Sequence, residues 1–211
     1  MKHIAENDLN LMSKLLILSP HLKIKNLKNI LVLTVIALTI SLQHIKAQEF
    51  KGIDKSPMDM AYFPDNFAHD HSPGEKAVAR ITYGRPQKNN RPVFGKIVPY
   101  GKVWRTGANE ATEFIAYQPL TFGSKVLPAG TYTLYTIPGK DEWTIIFNTD
   151  VDIWGAYRYD SEKDALRFTQ KTTTTSEVIE AFAIRFEDTI DNKALLKLAW
   201  DQIKVEIPFS Y

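Results

Sequence analysis

From Ala77 onward apolar and polar residues alternate in short runs, separated by Gly, Pro, Asp and Asn. Strands are predicted over residues 78–83, 112–117, 131–137, 143–148, 166–170, 178–187, 194–200 and 203–209. Within 178–187, Phe182, Ile184 and Phe186 fall on one face and Ala183, Arg185 and Glu187 on the other. Leu196, Leu198 and Trp200 repeat the pattern, as do Val205, Ile207 and Phe209. One dry face and one wet face is the signature of antiparallel pairing. No stretch past Ala77 carries a helical stripe. The turns agree, since Leu127-Pro128-Ala129-Gly130 and Ile137-Pro138-Gly139 set Pro and then Gly where the chain must reverse. The expected fold is all-β: a single antiparallel β-sandwich over residues 76–211, with a jelly-roll-like arrangement as one variant. An extended N-terminal arm, residues 48–75, is expected to lie on it and to pack Met58, Met60, Tyr62 and Phe63. No repeat and no second domain is visible.

The first 47 residues read differently. Lys23, Lys25 and Lys28 precede an apolar run of 13 residues, Ile30 to Leu42, and a short polar stretch leads to Ala47-Gln48. Basic region, apolar core and small residue describe a secretory signal peptide, although Ile45 stands where a small residue is preferred. Thirteen residues rise about 20 Å as a helix, against about 30 Å of hydrocarbon, so no stable membrane span is expected after cleavage. This leader holds six Lys and two acids, whereas residues 48–211 hold 20 basic and 22 acidic side chains. The chain's formal charge of +2 therefore hides a mildly acidic domain, which is poorly suited to nucleic acid. The expected location is periplasmic or extracellular. Without cysteine the chain can be neither a cysteine-anchored lipoprotein nor braced by disulfides.

Residues 84–112 resist the alternating pattern. They hold four Gly, three Pro and three Arg, with Phe94, Ile97, Val98, Tyr100, Val103 and Trp104 available for burial. An ordered loop of this length is usually functional. Its sharpest segment is Trp104 to Thr112, where Arg105 offers a planar fork for carboxylate or phosphate, Asn109 both donor and acceptor, and Glu110 an acceptor. Gly107 and Ala108 would let another group approach the backbone. A structural reading stands beside this one: Arg105 pairs with Glu110, Gly107 and Asn109 adopt positive φ, and Arg85 and Arg91 tie loop carbonyls together. Trp154 and Tyr157, flanking Gly155, suit either a sugar-stacking wall or ordinary packing.

Several chemistries are excluded. From Ser72 to Tyr211 there is no His and no Cys, which removes Ser-His-Asp and Cys catalysis and Cys/His zinc sites from the domain. His69 and His71 would face one side of an extended arm, but two ligands make a weak metal site. Asp150, Asp152 and Asp160 match no calcium loop. No metal or cofactor is expected. Glu110 and Glu113 are the one acid pair beside the loop. At a separation of three they converge only if the chain bends between them.

Several blocks carry a resemblance: Gly84-Arg85-Pro86, Arg91-Pro92-Val93-Phe94-Gly95, Val98-Pro99-Tyr100-Gly101, Val103 to Thr112, Leu127 to Tyr132, Glu142 to Asn148 and Trp154-Gly155-Ala156-Tyr157. Together with Lys55 to Pro64 they make residues 54–211 resemble an exported bacterial family known as domain of unknown function 2911. The resemblance implies a secreted or periplasmic β-rich domain and no assigned catalytic residue. Asn89-Asn90 depart from it, standing where a Gly-containing pair is more usual.

The expected function is binding of a small polar or anionic ligand, saccharide-like, through the 84–112 loop. Arg85, Arg91, Arg105, Asn109 and Glu110 would make the polar contacts and Trp154 or Tyr157 the apolar wall. The alternatives are a carboxylate-based hydrolase or lyase using Glu110 with Arg85 or Arg105, and a purely structural or interaction protein of the cell envelope. The sequence leans away from an enzyme and leaves the oligomeric state open.

Overall fold

The computed structural model describes residues 27–36 and 50–211. Residues 27–36 are helical. Among the described residues no helix is long and apolar enough to cross a membrane. Lys23, Lys25 and the Ala47-Gln48 junction lie outside the described residues.

Residues 53–211 form one compact unit. Its strands are β1 (Met58–Phe63), β2 (Ala79–Gly84), β3 (Glu113–Ala116), β4 (Leu120–Phe122), β5 (Lys125–Leu127), β6 (Gly130–Pro138), β7 (Glu142–Asn148), β8 (Asp164–Asp188) and β9 (Lys193–Ser210). A helical turn, Phe67–Asp70, and a 3-10 turn, Ser161–Lys163, complete the unit. All pairing is antiparallel, and the nine strands make one open sheet in the order β1-β2-β3-β6-β7-β8-β9-β4-β5. The protein is thus all-β, built from one bonded sheet.

The long strand β8 explains how one sheet encloses a core. The sequence pattern shows two runs, 166–170 and 178–187; the structure joins them through Thr172–Thr175 into 25 residues. Residues 164–171 pair with β7, and residues 172–188 pair with β9. Fully extended it would span about 80 Å, so twist and bulging must fold it. Its register breaks between Thr174 and Ile179 and again before Ala183, and such irregularities bend a strand. The β8–β9 half then faces β1 and β2: Phe63 packs on Phe186 at 5.7 Å and on Phe209 at 5.5 Å, and Tyr83 meets Phe182 edge-on at 5.7 Å. The alternation expected in β8 and β9 is seen, with Phe182, Ile184, Phe186, Leu196, Leu198, Trp200, Val205, Ile207 and Phe209 all buried.

Tyr83 pins the closure. Its Oη accepts from the Ile184 amide at 2.9 Å and lies 3.1 Å from the Ile184 carbonyl and 3.2 Å from Asp59 Oδ2. Burial pushes its pKa up to about 12.

The arm is corrected in part. Residues 58–63 are a true edge strand on β2, and Phe63 is wholly buried. An edge strand with Met58 and Met60 both half exposed leaves only a faint alternation to read. His69 and His71 do not share an extended face, because residues 67–70 coil into the helical turn. His69 Nδ1 bonds Asp70, while His71 Nδ1 meets the Phe67 carbonyl.

Candidate functional site

Past Gly84, the last residue of β2, the segment to Thr112 holds isolated bridges and no strand. Its end covers the flank of β6 that short β3 leaves free, since Trp104 exchanges both backbone bonds with Thr136 and Gly101 N–H donates to the Pro138 carbonyl. Trp104 is buried against Phe94, Trp143, Phe182 and Trp200. Ile97 and Tyr100 do not provide the burial expected of them; both are exposed, and Val93 is buried instead. Asn89 and Asn90 both adopt positive φ, and Arg91 N–H closes the turn on the Lys88 carbonyl. Two asparagines thereby do the work of a glycine-bearing hairpin turn.

The next turn places the polar cluster. Asn109 has positive φ as expected, but its partner is Thr106, at φ 56°, rather than Gly107. A β-branched residue in that region is strained. Bonds hold it there: Thr106 Oγ1 meets Thr136 Oγ1 at 3.1 Å, and Thr112 Oγ1 donates to the Thr106 carbonyl at 2.7 Å. The small residues serve the chain itself, because a Cβ on Gly84 would lie 2.3 Å from the Ala108 carbonyl oxygen. The group that approaches this backbone is therefore strand β2.

Chain reversal after Asn109 carries Glu110 and Ala111 against residues 151–155. Ala111 N–H donates to the Ile153 carbonyl and Gly155 N–H to the Asn109 carbonyl. Between this pair and the sheet lies a cleft of about 430 Å³. Its floor is Thr82, Glu113 and Thr133, which stand opposite one another across β2, β3 and β6 on the face away from the core. Glu110, Asp152 and Trp154 line its sides, and Met58 lines it from β1. Asn148 anchors the covering loop: its Nδ2 donates to the Asp160 carbonyl and to Asp164 Oδ1, both at 2.8 Å, while its Oδ1 accepts from Asp150 N–H. Thr133 Oγ1 donates to the Asp150 carbonyl. At the loop's far end Tyr159 donates to Asp164, and burial with that bond pushes its pKa up to about 12.

Trp154 and Tyr157 stand outside the core, 59% and 79% exposed, with near-parallel rings 5.8 Å apart. Neither ring is part of the core. Gly155, at φ 75°, permits their arrangement, since a Cβ there would lie 2.7 Å from the Tyr157 ring.

The predicted residues separate into two groups. Arg85 donates to the Phe182 carbonyl and to Asp59, and Arg91 to the Lys88 and Gln87 carbonyls; neither lines the cleft. Arg105 forms no ion pair with Glu110; its guanidinium lies 6.0 Å from the Trp154 ring centre. Asn109 reaches away to Asp54, and the Ser56 amide followed by Asn109 holds that carboxyl below its usual range. Glu110 and Trp154 line the cleft, with Tyr157 beside them.

Reasoning from sequence missed Thr82, Thr133, Met58 and Asp152, and also Arg80, whose Nη2 donates to Glu113 at 3.2 Å. The only signal for Thr82 and Thr133 was their outward position in alternating strands; strand register, which unites them, is not written locally. Among the described residues no group of three His, Cys, Asp or Glu could hold a metal ion.

A family described as "Protein of unknown function (DUF2911)" has a sequence model that matches residues 66–209. No curated protein matches the chain. No solved structure matches it either.

Proposed function

This chain belongs to the DUF2911 family, whose description carries no activity, and from the cleft itself we propose that it binds a small polar ligand of saccharide type. The observation that carries this reading is the exposed Trp154–Tyr157 pair at the mouth of a cleft lined with hydroxyls and carboxylates. A sugar presents one apolar ring face and a rim of hydroxyls. An aromatic face packs on the first, and carboxylates accept from the second. A volume of about 430 Å³ suits a small ligand. Export completes the proposal, supported by the apolar helical run of residues 30–36 behind Lys28; N-terminal sequencing of the protein recovered outside the cytoplasm should begin at Gln48.

A thermal-shift screen with mono- and disaccharides tests the binding. At least one should raise the melting temperature. In Trp154→Ala the shift should fall, with about tenfold weaker affinity, while the free protein melts as before, because the ring buries little of the core. A Trp154→Ala protein that responds like the parent overturns the reading.

A second reading, hydrolysis or elimination by carboxylates, is favoured by one observation. The chain does bend between Glu110 and Glu113, and both line the same cleft. Turnover of a glycoside that disappears in Glu110→Gln, with the melting temperature unchanged, would establish it. Equal turnover in that variant would remove it.

A further inference from the structure

Among the seven arginines of the chain, Arg105 differs from the rest. Arg80, Arg85, Arg167 and Arg185 meet carboxylates, Arg91 meets backbone carbonyls, and Arg158 is exposed to water. Arg105 is half-buried, and its guanidinium makes no ion pair and no hydrogen bond among the described residues. Its Nε is buried without a partner, while its terminal nitrogens stay open to solvent. A fold ordinarily supplies a carbonyl or carboxylate to such a donor, because a partly dehydrated donor left unpaired is unfavourable. Here the chain supplies neither.

What the guanidinium does meet is Trp154, the exposed ring that lines the cleft, with its Cζ 6.0 Å from the ring centre. A cation–π contact spends no N–H group. The terminal donors therefore remain available beside the ring on which a sugar would rest. Two N–H groups of a planar guanidinium match the two oxygens of a carboxylate.

We propose that the ligand is an acidic saccharide, a uronate, whose carboxylate meets the terminal nitrogens of Arg105 while its ring rests by Trp154. This step rests on the saccharide reading and adds a charge to it. The carboxylates of the cleft do not bar the ligand. Glu113 is paired with Arg80, and Glu110 and Asp152 are exposed, where water and salt screen them more than they screen a half-buried guanidinium. Both can accept from the sugar hydroxyls.

The test uses the full chain at neutral pH with glucuronate, its uncharged analogue glucuronamide, and glucose, read by thermal shift and calorimetry. Glucuronate should bind about tenfold tighter than either neutral probe. In Arg105→Gln that preference should vanish, so that glucuronate and glucuronamide bind alike. Arg105→Lys keeps the charge without the fork and should retain a preference of about threefold, which serves if Arg105→Gln does not fold. Glucuronate binding no tighter than glucuronamide in the parent, or a full preference surviving in either variant, overturns the charge assignment and leaves the saccharide reading standing. No response to any mono- or disaccharide, acidic or neutral, overturns both.

Discussion

Gly84 is the residue on which the approach of the site loop to the sheet depends. Its missing side chain lets β2 lie against the Ala108 carbonyl, and Gly107 completes the approach from the other side. Neither partner can yield, because both are backbone. Gly84→Ala should therefore cost about 2–3 kcal/mol, the range of an overpacked core site, and lower the melting temperature by roughly 4–12 °C on calorimetry. A loss below about 0.5 kcal/mol, the range of a surface change, would mean that the loop does not pack there. At the same scale the arginines sort themselves by their partners. Arg91 spends its donors on carbonyls of the fold and Arg85 divides its own between the Phe182 carbonyl and Asp59, whereas Arg80, on an outward strand position, meets a carboxylate of the cleft. Residue type alone does not separate them, since a guanidinium fork serves carbonyl, carboxylate and phosphate equally well.

Among the elements, the segment from Thr149 to Asp160 decides whether the cleft exists. It holds no strand, one bridge joins its Trp154 to Glu110, and Asn148, wholly buried at the end of β7, ties both its ends. Asn148→Ala would leave the Asp150 amide and the Asp160 carbonyl without these partners. It should cost about 1–3 kcal/mol and weaken saccharide binding along with stability, in contrast to Trp154→Ala, which should weaken binding alone. Denaturant titration beside ligand titration distinguishes the two. Strand existence was legible in the alternation of 178–187, 194–200 and 203–209. The continuity of β8 was not, because Thr172 to Ser176 is polar and breaks the apolar pattern. β-branched threonine still suits a strand, and pairing with β9 supplies the ladder that local sequence leaves undeclared.

For the molecule as a whole, closure of the sheet rests on contacts between its first strands and β8, and Tyr83 makes a buried polar link among them. Its ordinary pKa of 10.0 rises to about 12 in the fold through burial. The neutral phenol is thus favoured in the native state, so its contribution is complete below pH 10 and is lost as the pH climbs toward 12. Chemical denaturation across that window should show falling stability, with a shallower fall in Tyr83→Phe; identical slopes would deny Tyr83 this role. The sequence by itself determined the all-β class, the dry and wet faces of β8 and β9, the ordered 84–112 excursion and two cleft residues, Glu110 and Trp154. These follow from local rules: a side-chain period of two, Pro and Gly at reversals, and aromatic residues that order a loop. Only the tertiary structure decided that one sheet curls on itself, that Met58–Phe63 is a strand, and that Thr82, Glu113 and Thr133 form the floor of a cleft that Asp152 also lines. Those outcomes depend on register between strands distant in the chain, and a residue's own neighbours in sequence hold no record of the partner it will face.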